Sequence, residues 1–450
     1  MTAGTELLTP QQMQQVDDTC GISINTLIER AGRAVAEEIV RRYAARKTVV
    51  LCGPGNKGRD GAVAARYLQS WGWPISISDD IGDAELIIDA LYGSGLNRDF
   101  PQNLADKIVN AGVPVISIDV PSGLDGLTGH PRGASFKSDL TITFFRKKPG
   151  HVLLPGRTLC GEVVVCDIGI PSSVLDLIDI TVWENAKPKL LTPATDGHKY
   201  RRGHALIISG NTFQTGASRL AANAALKIGA GLVTISGTAG ALLVHASHST
   251  AVMLAETKTT NDLSKLLKDK RINAVCIGPA AGVGAKTAQK VKAVLESGAA
   301  AVLDADAITS CSSNPNLFFS WIQGVRNRPV IMTPHEGEFA RVFDSSPLSK
   351  LERARAAAKL SGAVIILKGA DTVIVHPDGR AKINTNAPPG LATAGSGDVL
   401  SGIATGLLAQ GMEEFEAACA AVWLHGDAAN KFEGSTFTAE ELVTKIGQLK

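Results

Sequence analysis

The run Asn384 to Gly402, NTNAPPGLATAGSGDVLSG, has the residue types that chemistry on an anion needs. Gly390, Gly395 and Gly397 let the backbone approach a ligand closely, and the apolar run Val399 to Leu408 reads as a buried helix. Such a junction offers free N–H groups and the positive end of a helix dipole. Asp398, in the first turn, is the one residue there able to act as a base. A lone GxGD is more often just a turn and a capped helix, but three other loops accompany it. GPAAG (278–282) follows a strand ending at Ile277. TPHEGEF (333–339) sets His335 and Glu336 at a strand end, and in KGADT (368–372) Lys368 and Thr372 bracket a turn. Each alone has an ordinary structural reading. Together, at strand ends of one parallel-sheet domain, they are expected to form one site. Phosphoryl transfer needs anion-binding backbone, a cation near the phosphates and a base for the attacking hydroxyl. Gly395 to Gly397 would supply the first, Lys368 would position a nucleotide, and Asp398 would be the base.

The first half of the chain carries a second set. GPGNKGRDG (53–61) looks like a phosphate or cofactor loop, but no Gly-Lys-Ser/Thr closes it as in a Walker A motif. Asp60 reads either as the cap of the next helix or as part of a site. Asp119, between the strand Val115 to Ile118 and Pro121, Ser122 and Gly123, reads either as a turn residue or as a proton acceptor facing glycine-rich loops.

These loops need a framework. A helix is expected from Thr9-Pro10 and another from Ser23, with Ile24, Leu27, Ile28, Ala31, Val35 and Ile39 recurring at helical spacing. Thr48 to Cys52 is a strand, followed by the 53–61 loop and a helix from Ala62 to Ser70. The order repeats from Leu86 to Ala90 into LYGSGLNRD and from Val115 to Val120 into PSGLDGLTG, and strands Leu140 to Phe145 and Val163 to Ile168 close the unit. Lys187 to His198 reads as a connection. Beyond it, strands are expected at 204–209, 232–236, 274–278, 301–303, 330–332, 363–367 and 372–375, with helices between several. Alternation of this kind implies two α/β domains, 1–186 and 187–450, each with a mostly parallel, doubly covered sheet.

Composition narrows the partners. A net charge of +2 with 20% charged residues gives no electrostatic case for nucleic acid or membrane, so the partner is expected to be a small molecule. Seven scattered cysteines without CxxC suggest reduced thiols in a cytoplasmic protein. MTAGTELLTPQQMQQ lacks the blocks of a signal peptide, and no uncharged apolar run reaches membrane-spanning length. Self-association is left open.

In their order, HKYRRGHALIISG, TGASRLAANAALKIGAGLVT, GPAAG, TPHEGE, KGADT and AGSGDVLSG resemble the ADP/ATP-dependent NAD(P)H-hydrate dehydratases, a branch of the ribokinase-like fold, over about 250 residues. The resemblance assigns Lys368, Gly369, Ala370, Asp371, Thr372 and Gly397 to nucleotide. It assigns Ala217, Gly282, His335 and Asp398 to the hydrated nicotinamide cofactor, with Asp398 as base. GPAAG stands where GPGLG is usual, and AGSGD where GGTGD is usual. The fused layout resembles the bacterial form, which implies ADP as co-substrate and Mg²⁺ with it.

LLTPQQMQQVDD, GISINTLIERAG, GPGNKGRDG, IIDALYGSGL, SIDVPSGLDGLTG and FFRKKPGH resemble the NAD(P)H-hydrate epimerase domain, whose fold is Rossmann-like, a three-layer α/β/α sandwich. The resemblance places Asn56, Lys57, Gly58, Arg59 and Asp60, and Gly93, Ser94, Gly95, Leu96, Asn97, Arg98 and Asp99, around the substrate. It makes Asp119 a substrate contact and proton shuttle, and it gives Asp89 and Ser122 to a potassium ion. The usual loop is NNGGDG, whereas NKGRDG puts Lys57 where an asparagine ligates K⁺. Three readings stay open: the ammonium replaces the ion beside Asp89, Lys57 points to solvent and K⁺ binds with fewer ligands, or Lys57 and Arg59 spoil the site. The main rival to the repair-enzyme reading is a ribokinase-like kinase of a vitamin-precursor alcohol. A nucleotide-sensing scaffold without turnover is the other.

Overall fold

A computed structural model of the chain describes residues 4–190, 199–343, 348–434 and 436–447. It divides into two compact units, Met1–Glu184 and Asn185–Lys450. Most of the connection expected over Lys187 to His198 lies outside the described residues.

In the first unit, strands β1 (Thr48–Cys52), β2 (Ile75–Ile77), β3 (Leu86–Ala90), β4 (Val115–Ile118), β5 (Leu140–Phe144) and β6 (Glu162–Cys166) form one sheet. Its order is β2-β1-β3-β4-β5-β6 and every pair is parallel. Side chains alternate between faces along a strand. Accordingly Val50, Ile88, Ile116 and Ile142 join one core, and Val49, Leu51, Ile87 and Val115 join another. The helix Ile24–Arg42, capped by Ser23, presents Leu27, Ala31, Val35 and Ile39 to the first core. A short strand β7 (Val182–Glu184) ends the unit, and Leu7 donates its N–H to the Val182 carbonyl at 3.0 Å.

Two local expectations change here. The helix after β1 starts at Asn56, not Ala62, so the expected loop is already its first turns. Gly58 allows this, because a Cβ there would collide with the Gly53 carbonyl oxygen. The β4–β5 crossing contains no helix among the described residues; the run from Pro121 through Gly133 is too rich in proline and glycine to wind one.

The second unit contains β8 (His204–Ile208), β9 (Leu232–Gly237), β10 (Met253–Glu256), β11 (Ile272–Ile277), β12 (Ala300–Leu303), β13 (Val330–Met332), β14 (Val364–Leu367), β15 (Val373–Val375) and β16 (Ala381–Ile383). They run in the order β10-β9-β8-β11-β12-β13-β14-β15-β16. Pairing is parallel as far as β14 and antiparallel from β14 to β16. KGADT is too short for a crossover, so the strand it feeds must turn back as a hairpin. Strands β2 and β10 escaped the sequence because they are short and most of their residues are exposed.

The helix Ser396–Ala409 is buried from Val399 to Ala409. It lies against the helix Gly216–Lys227 so closely that a Cβ at Gly402 would strike the Ala221 carbonyl oxygen, and one at Gly406 the Ala225 carbonyl oxygen at 2.7 Å. Among the described residues no helix is long and apolar enough to cross a membrane. Gly402→Val forces these helices apart and is expected to destabilise the second unit by about 3 kcal/mol, read as a lower midpoint in urea unfolding.

Candidate active sites

The carboxyl ends of the strands carry a site in each unit. In the first, a cavity of about 500 Å³ is lined by Asn56, Lys57, Asp60, Gly93 to Arg98 and Asp119. Met13, Asp17, Phe144 and Lys148 complete much of its wall. Three residues assigned to the substrate do not line it. Gly58 is packed against the Gly53 carbonyl, and Asp99 against Gly133. Arg59 is exposed and reaches Asn25 Oδ1 at 2.6 Å.

Asp119 follows β4 with φ of 69°, a left-handed conformation that costs a non-glycine residue energy and must be imposed by its surroundings. Lys148 Nζ lies 2.5 Å from its Oδ1, and the Ser94 N–H donates to Oδ2 at 2.8 Å. The Lys148 amide donates to His151 Nδ1 at 2.9 Å. The ring therefore carries its proton on Nε2, which donates to the Asp119 carbonyl at 2.7 Å. Burial lowers His151 to about 4, so it is neutral.

The cavity's carboxyl groups are driven apart. Burial acts to raise Asp119, but the Lys148 charge and hydrogen bond, with the Ser94 N–H, hold it well below the usual carboxylate range. Burial pushes Asp60 up to about 8, with the charges of Asp119 and Asp17 adding to the effect. Asp17 rises to about 6, chiefly through burial. Sequence reasoning gave no role to Asp17, Lys148 or His151. The first lies in LLTPQQMQQVDD and the others in FFRKKPGH, but nothing local marks them as facing one cavity.

Behind the cavity, Asp89 and Ser122 are fully buried, as is most of Lys57. The Lys57 ammonium bonds Asp89 Oδ2 at 2.9 Å, the Tyr92 and Val120 carbonyls at 3.0 and 2.8 Å, and Ser122 Oγ at 3.1 Å. The two groups expected to hold potassium thus hold an ammonium instead. That charge fills the space among their oxygens, so the residues present do not fit K⁺.

In the second unit Asp304, directly after β12 and 2% exposed, is the centre. Its Oδ1 accepts from Lys368 Nζ and from the Ala305 N–H, both at 2.9 Å, and its Oδ2 from Ser401 Oγ at 2.7 Å. Glu338 Oε2 lies 3.9 Å from the same lysine. Burial acts to lower Lys368, but Asp304 and Glu338 outweigh it and leave the ammonium above the ordinary lysine value. Asp398 sits in the first turn of Ser396–Ala409, where Gly395 (φ 84°) is the N-cap and has no side chain to cap the helix. Burial, then the charge of Asp304, raises Asp398 to about 6, while Lys368 pulls it down. A Cβ on Gly397 would stand 3.5 Å from Lys368 Nζ, which puts the glycine turn beside the ammonium.

The other expected residues divide. Gly282 donates to Asp306 Oδ2 at 2.8 Å, and Asp306 adds its charge to the field on Asp398. Ala217 lies one turn before Leu220, which packs on Gly395. Thr372 Oγ1 accepts the Gly369 N–H at 3.1 Å and donates to the Gly369 carbonyl at 2.7 Å, closing the turn around Ala370. Asp371 is engaged by Lys350 at 2.6 Å, and His335 caps its helix by accepting from Gly337 and Glu338 N–H groups at 2.9 and 3.2 Å. These two hold the turns that carry their neighbours. Asn384 donates to Asn386 Oδ1 at 2.8 Å, and Asn386 to the Trp423 carbonyl at 2.9 Å, which fixes the NTN segment before the glycine loop. Asp304 was missed because a single aspartate after a strand reads as a helix cap, which it also is.

Residues 205–448 match the family model described as NAD(P)H-hydrate dehydratase, and 24–79 and 71–150 match YjeF-related protein N-terminus. The chain is 32% identical over 498 residues to the bifunctional NAD(P)H-hydrate repair enzyme Nnr of Moorella thermoacetica, covering 94% of this chain and 92% of that one. It is 35% identical over 488 residues to the enzyme of the same name from Archaeoglobus fulgidus, covering 98% of each. A crystal structure of ADP/ATP-dependent NAD(P)H-hydrate dehydratase from Bacillus subtilis, co-crystallised with ATP/Mg²⁺, is 28% identical, with a TM-score of 0.48 over 57% of this chain and 91% of that one.

Breaking the buried pair leaves Asp304 uncompensated. Lys368→Met is expected to cost about 3 kcal/mol of stability, and adding Asp304→Asn to recover most of it, as chemical denaturation of both variants beside the parent will read.

Proposed function

The chain belongs to the family of bifunctional NAD(P)H-hydrate repair enzymes, and we propose how its two sites divide that work. It epimerises the R and S forms of hydrated NAD(P)H and dehydrates the S form, as an isomerase and a lyase in one chain.

Dehydration belongs to the second unit. The observation that carries its mechanism is Asp398, a carboxyl raised to about 6 at a helix entrance whose N-cap is a glycine, beside the Lys368–Asp304 pair. Hydroxide is a poor leaving group from C6 of the hydrated ring. Asp398 accepts the hydroxyl proton as the oxygen bonds to the terminal phosphorus of the nucleotide and the bridging bond to phosphorus breaks. Phosphate then departs from C6 with a proton from the neighbouring carbon, restoring NAD(P)H. The nucleotide lies between the KGADT turn and Gly397, its phosphates near the Lys368 ammonium and the open first turn. The hydrated ring lies by Ala217, Gly282, His335 and Asp398.

Mg²⁺ takes one or two carboxylates and otherwise phosphate and water oxygens; Asp304 and Glu338, 2.9 and 3.9 Å from the Lys368 ammonium, are the carboxylates proposed to face it. When bound, the ion would neutralise charge developing on the phosphates. ADP is the proposed donor, giving AMP and phosphate, on the resemblance of the fused layout to the bacterial form. Seven unpaired cysteines support placement in the reducing cytoplasm.

Epimerisation belongs to the first unit. Ionised Asp119 is the proton acceptor, and Asp60, raised to about 8 and so neutral near pH 7, is the partner able to donate.

Incubation with mixed R and S hydrates and ADP is expected to consume both forms, releasing phosphate and regaining the absorbance of reduced nicotinamide; a kinase would leave a stable phosphorylated product. Asp398→Asn is expected to lower the dehydration rate by at least about 100-fold. Because the base must be ionised, the parent rate should fall as pH drops through about 6. Epimerisation has the opposite sign: the Asp60 proton is lost as pH rises through about 8, so the rate should fall there, and Asp60→Asn should flatten that limb.

A further inference from the structure

We infer that Lys57 is a tethered cation that permanently fills a monovalent-ion cradle behind the first cavity, so that the epimerase half works without potassium. The inference deepens the epimerase reading and rests on it.

The cradle consists entirely of oxygens: one carboxylate, two backbone carbonyls and one hydroxyl, from Asp89, Tyr92, Val120 and Ser122. An ammonium has three protons to donate, yet four oxygens surround this one at 2.8 to 3.1 Å. At least one contact is therefore shared or purely electrostatic. Carbonyl and hydroxyl oxygens converging on a point replace the hydration shell of a spherical ion, and a lysine head is an acceptable stand-in because it is a compact point charge.

Charge decides the matter as much as volume does. The Asp89 side chain is fully buried and that of Lys57 is 5% exposed. Besides the lysine, the carboxylate accepts from Ser117 Oγ at 2.8 Å, Ser122 N–H at 2.9 Å, Ser122 Oγ at 2.6 Å and Leu91 N–H at 3.1 Å. One negative charge is met by one positive charge. A potassium ion added to this shell would meet the ammonium at close range without water between them, which is strongly unfavourable.

The ammonium also sets the catalytic geometry. It joins the first turn of the helix Asn56–Ser70 to the loops after β3 and β4. Tyr92 leads to Ser94, whose N–H holds Asp119 Oδ2, and Val120 follows Asp119 directly. Lys57 is therefore a positioning residue: a shift of its head would move both loops on which the acceptor depends.

The test uses the full chain and compares KCl with choline chloride at equal ionic strength. Melting temperature, read without substrate, reports on the cradle even if the epimerase assignment fails. The parent is expected to melt alike in both salts and to epimerise at rates within twofold. Lys57→Asn, which leaves Asp89 unmatched, is expected to melt several degrees lower in choline and to regain stability and epimerisation as KCl is titrated in. Lys57→Met with Asp89→Asn removes both charges and keeps the test decisive should the single variant fail to fold; its melting is expected to ignore potassium. A parent whose melting temperature or epimerase rate falls markedly without potassium overturns the inference. So does a Lys57→Asn protein that folds with equal stability in both salts, or a double variant stabilised by K⁺.

Discussion

An ionised carboxylate taken out of water costs several kcal/mol unless a cation and hydrogen-bond donors meet it, and both units place such groups at the carboxyl ends of parallel strands. Asp89 lies within β3, Asp119 follows β4 and Asp304 follows β12. Each is met by a lysine from a distant stretch: Lys57, Lys148 and Lys368. The pairings tie the loops into fixed positions, because neither partner can leave without stranding the other charge. Strand ends are where a parallel sheet leaves backbone groups and crevices available, so the ties lie where a ligand can use them.

The same low-dielectric surroundings sort the acids by charge state. Asp119 is forced to stay charged by Lys148, whereas Asp60, in the same cavity, is driven towards neutrality by burial against the weaker pull of Arg59 and Lys57. Asp398 is intermediate, because burial and the charge of Asp304 push it one way and Lys368 the other. Three carboxyl groups of one chemical type therefore span charged, neutral and intermediate states without any change of side chain. Backbone strain accompanies this arrangement. Asp119 has φ of 69°, and Ala280 and Ala305, beside the second site, have φ of 52° and 46°. Packing of this kind is needed to hold residues in such conformations.

The sequence was most legible where function needs local backbone geometry. AGSGD, KGADT and TPHEGE each form within a few residues, so their composition announced turns and helix entrances, and the structure has them there. Partners contributed from far away were harder to see. Asp304 meets Lys368 across 64 positions and Lys57 meets Ser122 across 65. A lysine in a glycine-rich loop looks the same on paper whether it points to solvent or into a cradle. For that reason Lys57 carried three open readings, and Lys148 none.

Hydrophobic alternation and glycine placement by themselves determined two α/β units and the strand ends at which chemistry gathers, because periodicity and steric freedom are properties of neighbouring residues. Only the tertiary structure decided that β14 to β16 turn back on themselves, that the first glycine loop is already helix, and which lysine matches which aspartate. Those outcomes depend on crossover length, on close approach between backbones and on the dielectric around a charge, all of which exist only once distant segments have been brought together.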